Sequence, residues 1–135
     1  MRASARMVEG TLRSDVAIRG GRFHVATDEP VGVGGEDTAP APHELLPAAL
    51  AGCVATTLVM YARTKEWDLG EVEVDVVFHQ RETPPRFEVE VRLGAEVTDE
   101  QLRRLEKVAA SCPVQRSLQG GAVFEERIAT GAAVV

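Results

Sequence analysis

The sequence predicts an α+β protein, and three observations carry that prediction. Two stretches in the second half alternate apolar and charged residues with a period of two, a long stretch ahead of them carries no charge, and a stretch behind them repeats its apolar residues at helical spacing. Strands that alternate this way bury one face only, so they need a helix laid across them.

Taken in order, Arg6 to Arg13 and Asp15 to Arg19 hold β-branched and small residues in loose alternation. Gly20-Gly21 follows, a pair that tolerates the positive φ of a tight turn, which makes Arg22 to Thr27 the returning strand. Residues 28 to 42, DEPVGVGGEDTAPAP, hold prolines and glycines without periodicity and predict an ordered loop or crossing linker.

The central element is PHELLPAALAGCVATTLVMYARTK, Pro42 to Lys65, with no charged side chain from Leu45 to Ala62. That run reaches the lower length limit of a membrane span, but it contains Pro47, Gly52, two threonines, Cys53 and five alanines. It is read as a helix buried in protein, and no membrane is expected as a partner. Pro42 suits a first helical turn, while Pro47 lacks a backbone donor, so PHEL is expected as a bent turn with the regular helix beginning near Leu46. A helix apolar all the way round needs cover on every side, which so short a chain can hardly supply, and a second copy of the chain is the expected source.

The β-hairpin is expected within residues 71 to 94. Val72, Val74, Val76 and Phe78 alternate with Glu73, Asp75, Val77 and His79, and Phe87, Val89, Val91 and Leu93 with Arg86, Glu88, Glu90 and Arg92. Thr83-Pro84-Pro85 connects them. Thr98 with Gln101 reads as a capping box, after which Leu102, Leu105, Val108 and Ala109 fall on one stripe of a second helix ending near Ser111. Cys112-Pro113 reads as an N-cap and first position of a short further helix through Leu118, stopped by Gly120-Gly121. Val123 to Thr130 is expected as a closing strand.

At 135 residues and 44% apolar composition, the sequence is expected to be a single domain over 1–135. A net charge of -6 with scattered arginines argues against nucleic acid as a partner. The N-terminal MRASARMVEG has basic residues without an apolar segment behind them, which predicts a cytoplasmic location. Two cysteines without CxxC spacing form no disulfide framework, and their chemistry is expected to be that of thiols.

Those two thiols occupy different kinds of site. Cys53 is inside the apolar helix beside Ala51 and Gly52, whose small size leaves room for a backbone or small ligand near the sulfur. Cys112 is at a helix start, where unpaired N–H groups and the dipole favour a thiolate. Taken singly, each free cysteine is more often an inert core residue than a catalyst; two cysteines, each in a helix and with no others in the sequence, make a peroxidatic and resolving pair worth testing without establishing one. Glu44 lies nine residues from Cys53, about 180° around a straight helix, so it faces Cys53 only through the Pro47 bend or from a partner chain. A metal site of Cys53, Cys112 and a histidine has no supporting ligand spacing, and neither a metal nor another cofactor is expected.

The segments DEP, GG, APAPHELLPAALAGC and TTLVMYA, followed about fifty residues later by SCPVQRSL, resemble the osmotically inducible protein C (OsmC) and organic hydroperoxide resistance (Ohr) superfamily, in order over roughly residues 7 to 130. The resemblance implies an OsmC-like fold, with antiparallel sheets wrapped around long central helices in an intertwined homodimer. It further implies a thiol peroxidase that reduces organic hydroperoxides to alcohols in oxidative stress defence. Carried over, Cys53 matches the peroxidatic cysteine, Cys112 the resolving cysteine, Glu44 the catalytic acid after the proline, and Arg13 the arginine that activates the thiolate. Arg22 stands behind Arg13 as the second arginine, and His43 and Arg22 are the candidate substrate-binding side chains. The implied reductant is an external dithiol such as a lipoylated protein. The alternative is a non-catalytic protein of the same fold that binds a small apolar ligand at the dimer interface.

Overall fold

The computed structural model describes residues 1–131. Three strands, β1 (Ala3–Met7), β2 (Ser14–Ile18) and β3 (Phe23–Thr27), form an antiparallel meander. A loop carrying a single 3₁₀ turn (Val31–Val33) leads to a second such turn (Pro42–Glu44) and into α1 (Leu45–Lys65). The hairpin β4 (Val72–His79) and β5 (Arg86–Leu93) follows, then α2 (Asp99–Ala109) and α3 (Pro113–Gly120).

The meander places its first strand earlier than the sequence suggests. β1 ends at Met7, and Val8 to Arg13 is a turn closed by Val8 N–H donating to Arg13 C=O at 2.9 Å. Gly20 and Gly21 make the next turn at φ 66° and 94°, as their freedom from a Cβ allows. Register pairs Ala5 with Val16 and Val16 with Val25, and Ile18 with Ala3 and Phe23, so these side chains share one face of the sheet. β1 is exposed throughout and Phe23 is 48% exposed, so this apolar face lacks cover among the described residues.

The hairpin is built on the same period and ends differently. Val72 opposes Leu93, Val74 opposes Val91, Val76 opposes Val89 and Phe78 opposes Phe87, with the two phenyl rings stacked at 4.2 Å. That face meets α1, whose Leu50, Val54, Leu58 and Ala62 form a fully buried stripe at intervals of four residues, joined by Leu69, Leu105 and Cys112. The opposite face is a charge ladder in which Arg92 binds Glu73 at 3.3 Å, Glu90 at 2.7 Å, and Asp75. Asp75 and Glu90 lie directly opposite each other, and Arg92 offsets that repulsion.

α1 begins at Leu45 and runs through Pro47. Pro47 is third in the helix, where its missing N–H is one of the groups that has no intrahelical partner anyway, so the bend is confined to the 3₁₀ turn before it. Pro42–Lys65 is the one span among the described residues long and apolar enough to cross a membrane, and its packing against hairpin, α2 and α3 makes it a core helix. Only one stripe is fully buried; Gly52, Thr56 and Met60 on another face are exposed. α2 has the expected cap, with Gln101 N–H donating to Thr98 Oγ1 at 3.1 Å and Thr98 N–H to Gln101 Oε1 at 2.9 Å. Gly120 is the last residue of α3, and Gly121 ends it at φ 70°.

The closing strand expected over Val123–Thr130 does not form. These residues are irregular and exposed, with Val123, Phe124 and Ile128 each at least 80% exposed, because a strand requires a neighbour to accept its hydrogen bonds and none among the described residues is placed beside it.

Candidate functional site

The two cysteines meet where α1 crosses the start of α3. Cys53 is half-buried on the flank of the Leu50–Val54 stripe, and Cys112, fully buried, is the N-cap of α3 with Pro113 at the first position. Both are free thiols. Gln115 N–H donates to Cys112 Sγ at 3.4 Å, which favours the thiolate, but the net direction is the reverse. Burial pushes the Cys112 thiol up, and the neighbouring Cys53, its hydrogen-bonding and electrostatic partner, adds to that push. The expectation that the helix start would hold Cys112 as a thiolate is therefore corrected: desolvation outweighs the backbone N–H groups.

The other expected residues divide between two places. Glu44 ends the 3₁₀ turn, and its Oε1 accepts from Ala41 N–H at 3.0 Å, which fixes the entry to α1. Next to it His43 meets the edge of the Phe78 ring at 5.3 Å. His43, Leu46, Phe87 and Leu102 line an open apolar groove of about 1130 Å³ between α1, the hairpin, α2 and α3. Arg13 and Arg22 are on the meander. Arg22 has its guanidinium 5.4 Å from the centre of the Phe23 ring. Arg13 Nη1 donates to Thr38 Oγ1 at 2.7 Å and to Thr38 C=O at 3.2 Å. Among the described residues no ion pair joins Arg13 to Glu44; the chain brings Cys53 and Cys112 together and leaves the arginines on the separate three-stranded sheet.

Asp28 and Thr38 escaped the sequence reading. Asp28 is 1% exposed, and its carboxylate accepts from Glu29 N–H at 2.8 Å, Thr38 Oγ1–H at 2.6 Å and Thr38 N–H at 3.1 Å. The Thr38 hydroxyl, with backbone donors from Thr38 and Glu29, holds the Asp28 carboxyl down to about 2. The available signal was an acid at the end of a strand before a proline, a common loop feature that does not name its partner ten residues on. Among the described residues no group of three or more His, Cys, Asp or Glu side chains could hold a metal ion.

This arrangement, a sheet meander followed by a long helix on a hairpin and then two shorter helices, has counterparts among known proteins. A family model described as OsmC-like protein matches residues 34–127, and the chain belongs to that family. Among solved structures, it is similar to an organic hydroperoxide resistance protein from Elizabethkingia anophelis with thiocyanate bound, at 26% identity over 87% of this chain and 86% of that one, with a TM-score of 0.64. Two further likenesses concern the fold alone. One is organic hydroperoxide resistance protein OsmC from Legionella pneumophila, at 20% identity over 88% of each chain and TM-score 0.65. The other is an OsmC-like protein from Mycoplasma pneumoniae, at 17% identity over 88% and 86% of the two chains and TM-score 0.66. No curated protein matches the chain.

Proposed function

We propose that the protein is a cytoplasmic, homodimeric thiol peroxidase that reduces organic hydroperoxides in oxidative stress defence. The observation that carries the reading is the pairing of Cys53 and Cys112 at the α1–α3 crossing, in a family that includes proteins named for hydroperoxide resistance. The Cys53 thiolate attacks one peroxide oxygen, the O–O bond breaks, and the alkoxide leaves as alcohol on taking a proton. Cys53 is then a sulfenic acid. The Cys112 sulfur attacks the Cys53 sulfur, hydroxide leaves and is protonated to water, and a disulfide remains. An external dithiol such as a lipoylated protein exchanges with that disulfide, restoring both thiols and being oxidised itself. No metal or cofactor enters the cycle.

Arg13 supplies the positive charge for the thiolate, and Glu44, from the other subunit, orients Arg13. The same separation supports the dimer: an apolar meander face and an apolar flank of α1 are both bare among the described residues. His43 and Arg22 contact the substrate beside its organic group. The open groove favours a second reading, a non-catalytic protein binding a small apolar ligand, in which both cysteines are passive.

One experiment separates the readings. A stoichiometric organic hydroperoxide should convert the native thiols to an intrachain disulfide seen by mass spectrometry. Cys53→Ser should consume no peroxide, and Cys112→Ser should reduce one equivalent and stop at a sulfenic acid on Cys53. Retention of both free thiols in the native protein would leave only the binding reading.

A further inference from the structure

The register of the meander brings Arg13 and Asp28 beside each other. Ser14, the first residue of β2, pairs with Thr27, the last of β3, and their hydroxyls share a buried 2.6 Å hydrogen bond. Arg13 precedes that rung on one strand and Asp28 follows it on the other. Between them comes Thr38, returned by a loop whose ends are tied together: Asp28 N–H donates to Pro40 C=O at 3.1 Å and Asp37 N–H to Glu29 C=O at 3.0 Å. The closure is tight enough that a Cβ on Gly35 would fall 1.9 Å from the Glu29 carbonyl oxygen.

The direction of the hydrogen bonds within this cluster is determined. An ionised carboxylate only accepts, so the Thr38 hydroxyl donates to Asp28 at 2.6 Å and keeps its lone pairs for Arg13 Nη1 at 2.7 Å. The relay runs from guanidinium to hydroxyl to buried carboxylate, each bond polarising the next. A long, half-buried arginine would otherwise sample several rotamers.

On the reading that Arg13 serves the Cys53 thiolate, we infer that Thr38 and Asp28 are its positioning residues: the buried Asp28 carboxylate orients the Thr38 hydroxyl, and that hydroxyl fixes the Arg13 guanidinium at the strand end it must reach from. Neither residue touches peroxide or sulfur. Both also hold the loop, through Glu29 and Thr38 N–H groups donating to the Asp28 carboxylate, but their effect on the reaction passes through Arg13.

The test is a double-mutant cycle read on the rate at which cumene hydroperoxide consumes the Cys53 thiol, with the melting temperature recorded for each variant. Thr38→Val keeps the shape and removes the hydroxyl; it should slow the reaction between about 10- and 100-fold, the range a small misplacement of a catalytic group produces. Thr38→Ser should restore most of the rate. In an Arg13→Ala background Thr38→Val should have no further effect, since a residue acting through Arg13 has nothing left to position. Asp28→Asn should follow the same pattern if it folds; the Thr38 pair decides the matter if it does not. An equal slowing by Thr38→Val with and without Arg13, or a Thr38→Ser variant as slow as the valine, overturns the positioning role while leaving the peroxidase intact. A native protein inert to the hydroperoxide, or one whose rate is indifferent to Arg13→Ala, overturns the role together with the mechanism it rests on.

Discussion

The meander and the hairpin are the same kind of object in sequence and different objects in the fold. Each is antiparallel and each carries one apolar face at a period of two. The hairpin lays that face on α1 and the two halves complete a core within one chain, from Val72 and Val74 to the buried Leu50, Val54 and Leu58. The meander has the matching face, Ala5, Val16 and Val25, and among the described residues no helix is laid on it. Alternation predicts that a face will be buried; it does not say by which chain. The chemistry divides along the same line, since the hairpin half holds both cysteines and the meander half holds both candidate arginines.

If the hairpin half is self-sufficient, damage there should act on the folding of each chain. Leu58→Ala, at a position 1% exposed, should lower unfolding free energy in urea by about 2–5 kcal/mol. Damage to the meander face should act on association instead. Val16→Asp places a charge at the centre of the bare apolar face, and sedimentation should show the proposed dimer weakened by at least about 100-fold while helical content is retained. A variant that unfolds outright would show that the meander is part of the single-chain core after all.

Asp28 gives the contrast a pH axis. Its folded value of about 2 is below the ordinary 3.8, so its contribution to stability is present above 3.8 and is lost as pH falls from there toward 2. Asp28→Asn should remove that part of the acid limb, measured as a shallower loss of melting temperature across the window. The smallest effect is expected on the outer face of the hairpin. Arg92→Ala breaks bonds to Glu73, Asp75 and Glu90, all largely exposed, and should change stability by no more than about 1 kcal/mol, less in high salt.

Residues whose partners are close in sequence were legible. Thr98 and Gln101 are three apart and cap α2 as expected, Cys112-Pro113 opens α3, and Thr83-Pro84-Pro85 joins two strands whose register follows from their alternation. The cysteine pair was legible as a pair of motifs through family resemblance, and the residues alone left it one possibility among several. The pattern misled at Val123–Thr130, which reads as a strand and is none in this chain, because strand propensity is expressed only where a neighbouring edge offers donors and acceptors.

What the sequence by itself determined is therefore the set of local periods and caps: two alternating sheets, an uncharged helix and two capped helices. Tertiary structure alone decided that burial raises the Cys112 thiol against the pull of its helix start, that one stripe of α1 is fully buried while Gly52, Thr56 and Met60 are exposed, and that Arg13, Asp28 and Thr38 form one hydrogen-bonded relay. The physical reason is distance along the chain. Periods and caps depend on backbone geometry over a few residues, whereas desolvation and a relay spanning 25 positions depend on which surfaces the folded chain brings together.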